Sequence, residues 1–140
     1  MRLDATTCWA RIGPFGHGTL GTLHPDRGLD VVPVVYVIDR DQIIIPIDAV
    51  KPKSGRRLQR LSNLAADARC VLLVDHYADD WSELWWVRAH GHAIESHPSP
   101  DALAALGRAF PMYRAADSVT SLIVMTIDSI TGWSALPDPA

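Results

Sequence analysis

Residues 29–47, LDVVPVVYVIDRDQIIIPI, decide the fold of this chain. They contain two apolar segments rich in valine and isoleucine, Leu29–Ile38 and Gln42–Ile47, separated by the polar turn Asp39–Asp41. β-Branched residues favour extended backbone, so this pattern predicts two antiparallel strands joined by a tight connection. Pro33 cannot donate to a ladder and therefore indicates a bulge or an edge in the first strand.

The segments on the N-terminal side extend this hairpin. Thr19–Leu23 is a short strand-like segment, and His24–Gly28 contains proline and glycine where a turn requires them. The three strands then form an antiparallel meander. Before them, Ala5–Ile12 predicts a short helix, and the glycines and proline of residues 13–18 are expected to break any regular element.

Three further strands are predicted on the C-terminal side. Cys70–Tyr77 is continuously apolar, which predicts burial on both faces. Leu84–Ser96 is a long strand with Gly91 as its expected bulge. A helix over Ala102–Phe110 precedes the last strand, Ser118–Ile130.

This pattern predicts a mainly β domain over residues 1–140, with two or three helices and a six-stranded antiparallel barrel. Closure of the barrel removes exposed strand edges. A barrel of six strands has an interior filled by side chains, so a ligand must lie outside it. The length of 140 residues suits one domain with one core.

The segment VKPKSGRRLQRLSNL, residues 50–64, carries five positive charges and no negative charge. Ser54 is expected to cap a helix with an apolar stripe of leucines. Backbone N–H groups and the helix dipole add to the cationic side chains, so the segment predicts a phosphate site. The alternative is a solvated basic face beside an ordinary helix. The cationic residues are Lys51, Lys53, Arg56, Arg57 and Arg60.

Composition limits the function classes. The net charge of −3 argues against general nucleic-acid binding, and no apolar run is long enough to predict a membrane span. The N-terminus lacks the apolar core of a signal peptide, so we expect a cytoplasmic protein. Cys8 and Cys70 lie in apolar surroundings and are expected to be buried free thiols.

Several strings, PVVYVID, IPIDAVKPKSGRRLQRLSNLAADAR, VLLVDHYADDW and LWWVRAHG, resemble one protein family. The chain from about Thr19 to Trp133 is similar to the pyridoxamine 5′-phosphate oxidase-like proteins, which have an FMN-binding split β-barrel. Within that family, it most resembles the actinobacterial oxidoreductases that use coenzyme F420, a deazaflavin. The glycine-rich segment GPFGHG departs from the family pattern.

The resemblance implies a homodimer with two cofactor sites at the interface, and hydride transfer between coenzyme F420 and a small organic substrate. The phosphate would lie on the basic segment, with Arg60 as its main ligand. Backbone groups of residues 46–48 would face the pyrimidine edge of the ring, and Trp133 would approach from the partner subunit. Trp85 and Trp86 would line the substrate side or the dimer seam. The implied cofactor-binding residues are Pro46, Ile47, Asp48, Lys51, Lys53, Ser54, Arg57, Arg60, Trp85, Trp86 and Trp133.

Two alternatives share the expected fold: an FMN-binding oxidase or flavin reductase, and a carrier of flavin, deazaflavin or haem without turnover. The cofactor performs the redox chemistry in the enzymes, so no catalytic side chain is required beyond a proton donor. His76 and Tyr77 are candidates for that donor, although a structural role for His76 is favoured. His90 and His92 are too few to predict a zinc site.

Overall fold

The computed structural model describes residues 1–48 and 58–136. In these ranges the chain forms seven strands, three α-helices and two short helical turns, Trp81–Glu83 and Pro111–Arg114. The helices are α1 (Ala5–Ile12), α2 (Gln59–Ala66) and α3 (Pro100–Ala109). The strands are β1 (Arg2–Leu3), β2 (Phe15–His24), β3 (Gly28–Asp39), β4 (Gln42–Asp48), β5 (Arg69–His76), β6 (Trp85–Ser96) and β7 (Val119–Ser134).

Six long antiparallel strands close into a barrel. The order across the sheet is β1-β7-β4-β3-β2-β5-β6, and β6 pairs back onto β7. The two-residue strand β1 only adds to the far end of β7, where Arg2 is the partner of Trp133. The predicted six-stranded antiparallel barrel is confirmed, and β1 is an addition that the sequence did not predict.

The barrel interior is solid and apolar. Alternate residues of every long strand point inward, and α1 and α2 add Cys8, Ile12, Leu61 and Leu64 to the same core. Cys8 and Cys70 are both buried and unpaired, as predicted. None of the described helices has the length and apolar character needed to cross a bilayer.

Gly91 marks a bulge in β6, as predicted. The register with β7 shifts between His90 and Gly91. The backbone of Gly91 lies so close to the carbonyl group of Thr126 that a Cβ atom would clash with it.

The prediction that residues 13–18 break regular structure was wrong, because β2 already begins at Phe15. The glycines permit close packing here. A Cβ atom on Gly16 would lie 2.8 Å from the hydroxyl of Tyr36, and one on Gly18 would lie 2.6 Å from the carbonyl of Leu73. In this strand, glycine therefore indicates tight contact with neighbouring elements.

The prediction that the strand Cys70–Tyr77, which corresponds to β5, is buried on both faces was also wrong. Along β5, Cys70, Leu72 and Val74 are buried while Leu73 and Asp75 are exposed. Apolar residues on the outward face of β5, such as Leu73, make the strand continuously apolar. Within the described ranges of the single chain, no second layer covers this face.

A second apolar cluster lies on the outer face of the barrel. It joins Ala102 and Leu106 of α3 to Val37 of β3 and Ile44 of β4. Tyr113, in the helical turn after α3, is buried in the same cluster. This packing brings the turn next to the end of β4, where the candidate site lies.

The N-terminus of α2 differs from the prediction. The helix begins at Gln59, and its N-cap is Leu58, which makes no capping side-chain hydrogen bond. Ser54 is therefore not the cap of this helix. Ser54 itself lies outside the described residues, in the stretch 49–57.

Candidate functional site

A groove opens where β3 and β4 separate. Their ladder pairs residues Val37–Asp39 with Gln42–Ile44, and further along no pairing between these strands is described. Pro33 is the ladder partner of Thr19 in β2, in a register without a bulge, and it lies in the part of β3 that has no described pairing with β4. This confirms the edge alternative rather than the bulge. The groove has a volume of about 260 Å³. Its walls are Pro33, Val34 and Val35 of β3, Pro46 and Asp48 of β4, and His17, Arg60 and Tyr113.

Tyr113 and Asp48 form the polar end of this groove. The hydroxyl of Tyr113 donates a hydrogen bond of 2.6 Å to Oδ1 of Asp48. Burial, followed by this bond to a carboxylate, raises the pKa of Tyr113 well above its usual value. The hydroxyl is therefore a permanent donor at neutral pH, and it fixes the orientation of Asp48.

Arg60 lies in the first turn of α2 and contributes the cation of the groove. Its Nε atom is buried and has no hydrogen-bond partner among the described residues. Burial lowers the pKa of this guanidinium, and the negative charge of Asp48 opposes the shift. Arginine nevertheless remains protonated in proteins.

The unpaired Nε atom matters because a buried donor without a partner costs about 1–3 kcal/mol. An anionic ligand oxygen would remove that cost, since guanidinium groups bind phosphate and carboxylate with directed hydrogen bonds. Arg60 therefore fits the phosphate of a cofactor. When bound there, a flavin or deazaflavin would supply the redox chemistry.

A hydrogen-bond network that is buried at Asn63 and Thr22 and exposed at Arg27 anchors α2 beside the groove. Asn63 Nδ2 donates to Thr22 Oγ1 at 3.0 Å and to Asp30 Oδ2 at 2.9 Å. Gln59 donates to Asn63 Oδ1 at 2.9 Å, and Arg27 holds the Asp30 carboxylate through two bonds of 2.7 and 2.9 Å. Asn63 lies one turn after Arg60, so the network fixes the helix that carries the cation.

The groove brings together three of the predicted cofactor residues, Pro46, Asp48 and Arg60. The side chain of Ile47 points into the barrel core, and its carbonyl accepts a hydrogen bond of 3.2 Å from Thr120. Four other predicted residues lie outside the described residues: Lys51, Lys53, Ser54 and Arg57.

The predicted tryptophans lie elsewhere on the single chain. Trp86 and Trp133 are ladder partners on the outer face and line a separate groove of about 350 Å³ with Leu73, Tyr77 and Arg88. Trp85 points to the other side of β6. There its ring stacks on His76, with centroids 6.2 Å apart, and the guanidinium of Arg11 lies 5.5 Å from its centroid.

Sequence reasoning missed His17 and Tyr113 as groove residues. His17 lies in the glycine-rich segment that was expected to be irregular, and recognising β2 there would have placed it on an outer face. Tyr113 lies 65 residues from Asp48 and has no local signal. His92 lies 3.2 Å from Asp128, and the described residues contain no group of three metal-ligating side chains.

The fold is shared with solved structures of low sequence identity. An FAD-binding protein from Mesorhizobium loti aligns with a TM-score of 0.71 at 16% identity, covering 94% of this chain and 95% of its own. A proposed pyridoxamine 5′-phosphate oxidase from Corynebacterium glutamicum gives 0.60 at 14% identity, over 94% and 90%. The haem storage protein HutZ from Vibrio cholerae gives 0.66 at 13% identity, over 96% and 95%.

These neighbours show that the chain has the split β-barrel fold. Sequence identities below 20% show a shared fold but do not show a shared function. No family model matches the sequence, and no curated protein matches it significantly.

Proposed function

We propose that the protein is an oxidoreductase of the pyridoxamine 5′-phosphate oxidase-like class. It binds a phosphate-bearing flavin or deazaflavin in the groove between β3 and β4, and transfers hydride between this cofactor and a small organic substrate. The observation that carries the proposal is the buried, unpaired Nε atom of Arg60 beside that groove. The FAD-binding neighbour on the same fold supports a flavin-type cofactor.

The roles of the residues follow from their positions. Arg60 binds the phosphate, and Lys51, Lys53 and Arg57 add positive charge from the basic segment. The open edge of β4 at residues 46–48 receives the polar edge of the ring. The hydrogen bond from Tyr113 restricts rotation of the Asp48 carboxylate, which keeps the edge of the groove in one shape.

Coenzyme F420 is the cofactor that we favour. Its tail carries carboxylates in addition to its phosphate, and five cationic residues between positions 51 and 60 exceed the need of a single phosphate. FMN is the alternative, because a monophosphate needs only Arg60 and one or two further donors.

The proposed active form is a homodimer. Trp86 and Trp133 form an exposed aromatic groove on the outer face of β6 and β7. Aromatic residues are enriched in interfaces, and a partner subunit would cover this groove. Trp133 then approaches the ring that is bound to the other subunit, while Arg88 and Tyr77 line the substrate side.

Cofactor titrations test the proposal. Purified protein is titrated with FMN, FAD and coenzyme F420, and binding is followed by absorbance and fluorescence. Riboflavin, which lacks the phosphate, is the matched ligand control. We expect phosphate-bearing ligands to bind more tightly than riboflavin, and Arg60→Ala to weaken them by about 10- to 150-fold. Equal affinity for riboflavin and FMN, unchanged in Arg60→Ala, would contradict the assignment.

A carrier without turnover is the second candidate function, and the haem storage neighbour on the same fold supports it. Measuring hydride transfer separates the two functions. The enzyme oxidises or reduces a bound cofactor in the presence of an acceptor or donor substrate. The carrier quenches the fluorescence of a flavin or binds haem, and catalyses no turnover with any substrate tested.

A further inference from the structure

A second, larger groove lies beside the proposed cofactor site. Its volume is about 770 Å³, and it runs between α3 and the start of β7. Leu103 and Gly107 form the wall on α3, Thr120 lies on β7, and Arg108, Tyr113 and Arg114 complete it. Ligand sites usually measure about 300–1,000 Å³, so this groove has the size of a binding site while the β3–β4 groove alone is small.

The two grooves are neighbours across Tyr113, which lines both of them. The hydroxyl of Tyr113 reaches Asp48 in the first groove. Thr120 lines the second groove and donates a hydrogen bond to the carbonyl of Ile47, directly before Asp48. The end of β4 therefore lies beside both grooves, with Tyr113 between them.

The larger groove has two cations and one anion on its walls. Arg114 Nε donates a hydrogen bond of 2.8 Å to the carbonyl of Gly107, which orients the guanidinium. Within residues 1–48 and 58–136, no carboxylate forms an ion pair with Arg108 or Arg114. Asp117 also lines the groove, so its net positive charge is one unit.

We propose that this groove is a subsite for an anionic extension of the ligand held by Arg60. The shared chemistry is a second anionic group beyond the first phosphate. Two sources have it: the second phosphate of a dinucleotide such as FAD, and the carboxylate tail of coenzyme F420. The inference rests on the proposed function, because it assumes that the flavin or deazaflavin ring lies between β3 and β4.

The competing explanation is structural. Arg108 lies in the last turn of α3, where a cation interacts favourably with the helix dipole, and Arg114 satisfies a carbonyl at the same end. If this is their only role, substitution changes the stability of the protein and leaves the ratio of affinities between ligands unchanged. A subsite role instead changes the ratio of affinities between extended and short ligands.

The experiment measures dissociation constants of FMN, FAD and coenzyme F420 for three proteins at one ionic strength. These are the unmodified chain, the double variant that combines Arg108→Gln with Arg114→Lys, and the control variant Arg40→Gln. Arg114→Lys keeps the charge near Gly107 and removes the oriented fork of donors. Arg40 is an exposed arginine in the turn between β3 and β4, at the paired end of this hairpin, and it lines neither groove. Thermal unfolding confirms that each variant is folded.

We expect the affinity of at least one extended ligand to fall about 5- to 30-fold in the double variant, while that of FMN stays within about twofold. A selective loss for FAD identifies the dinucleotide as the source, and a selective loss for coenzyme F420 identifies the carboxylate tail. Unchanged affinities for both extended ligands overturn the inference, as does an equal loss for FMN. If FMN binding still depends on Arg60, the proposed function survives that result. If none of the three ligands binds the unmodified chain, both proposals fail.

Discussion

The Tyr113 hydroxyl and the Asp48 carboxylate, 65 residues apart in sequence, are joined by a hydrogen bond of 2.6 Å. Asp48 is the last residue of β4, and Tyr113 belongs to the helical turn that follows α3. The bond therefore ties the outer layer of the barrel to the point where the chain leaves β4 toward the basic segment. It also forms the boundary between the two grooves.

Tyr113→Phe removes this bond and keeps the ring in the outer apolar cluster. Because the half-buried Asp48 carboxylate then loses a donor, we expect the free energy of unfolding to fall by about 1–2 kcal/mol. Urea unfolding measures this change. Tyr77→Phe is the control, since Tyr77 is exposed and no hydrogen bond to its hydroxyl is described. A Tyr113→Phe protein as stable as the control would show that the bond contributes nothing in solution.

Arg60→Met separates function from stability. The variant removes a buried donor that has no described partner, so the ligand-free protein should keep its free energy of unfolding or gain up to about 1 kcal/mol. Flavin phosphate affinity should nevertheless fall by about 1.5–3 kcal/mol. Calorimetric titration and urea unfolding of the same preparation measure both quantities. A large loss of stability without ligand would mean that Arg60 supports the fold and not the site.

Local patterns predicted most of the fold. The valine- and isoleucine-rich segments around Asp39–Asp41 fixed a hairpin, because extended backbone and a short polar turn are properties of neighbouring residues. Gly91 was recognisable as a bulge for the same reason. The glycines of β2 were misleading, since their close contacts with Tyr36 and Leu73 depend on distant strands.

The candidate site was only partly predictable. Asp48 lies just before the basic segment that marks the site, Arg60 belongs to that segment, and both line the groove. Tyr113 reaches the groove because α3 packs on the outside of the barrel, and His17 reaches it because β2 begins early. Both placements depend on tertiary packing, which no local pattern reports. The start of α2 was placed too early. Ser54 has the side-chain chemistry of an N-cap, but the described helix begins at Gln59.

Asn63→Ala tests the network that anchors α2. Asn63 is fully buried and makes three side-chain hydrogen bonds, so we expect a loss of about 2–3 kcal/mol in the free energy of unfolding. Flavin affinity should fall as well, because α2 carries Arg60. Ser62→Ala is the neighbouring control, since no hydrogen bond of its side chain is described. Preserved flavin affinity in the destabilised Asn63→Ala variant would indicate that Arg60 is positioned without this network.

Asp30 gives the protein a predictable acid sensitivity. Hydrogen bonds from Arg27 and then Asn63 lower the pKa of its carboxyl group in the folded state. A carboxyl group with a lowered folded pKa stabilises the fold above its unfolded pKa of about 3.9, and loses that contribution as the pH falls further. Asp30→Asn should therefore be less stable at pH 7 and depend less on pH below about 4. Urea unfolding at pH 7 and pH 3 compares the two proteins, and equal pH dependence would contradict the role of Asp30.

The exposed face of β5 and β6 leads to a prediction about assembly. Leu73 is 36% exposed and Trp133 is 37% exposed, and they line the aromatic groove with Trp86. A charge there would be desolvated by a partner subunit without a counterion, which strongly disfavours association. We expect the unmodified protein to sediment as a dimer and Leu73→Arg as a monomer with weaker flavin binding. Ile94→Arg, at the other end of β6 and 63% exposed, is the control and should remain dimeric. An unmodified protein that is monomeric at micromolar concentration and still binds flavin fully would show that one chain completes the site without Trp133 of a second chain.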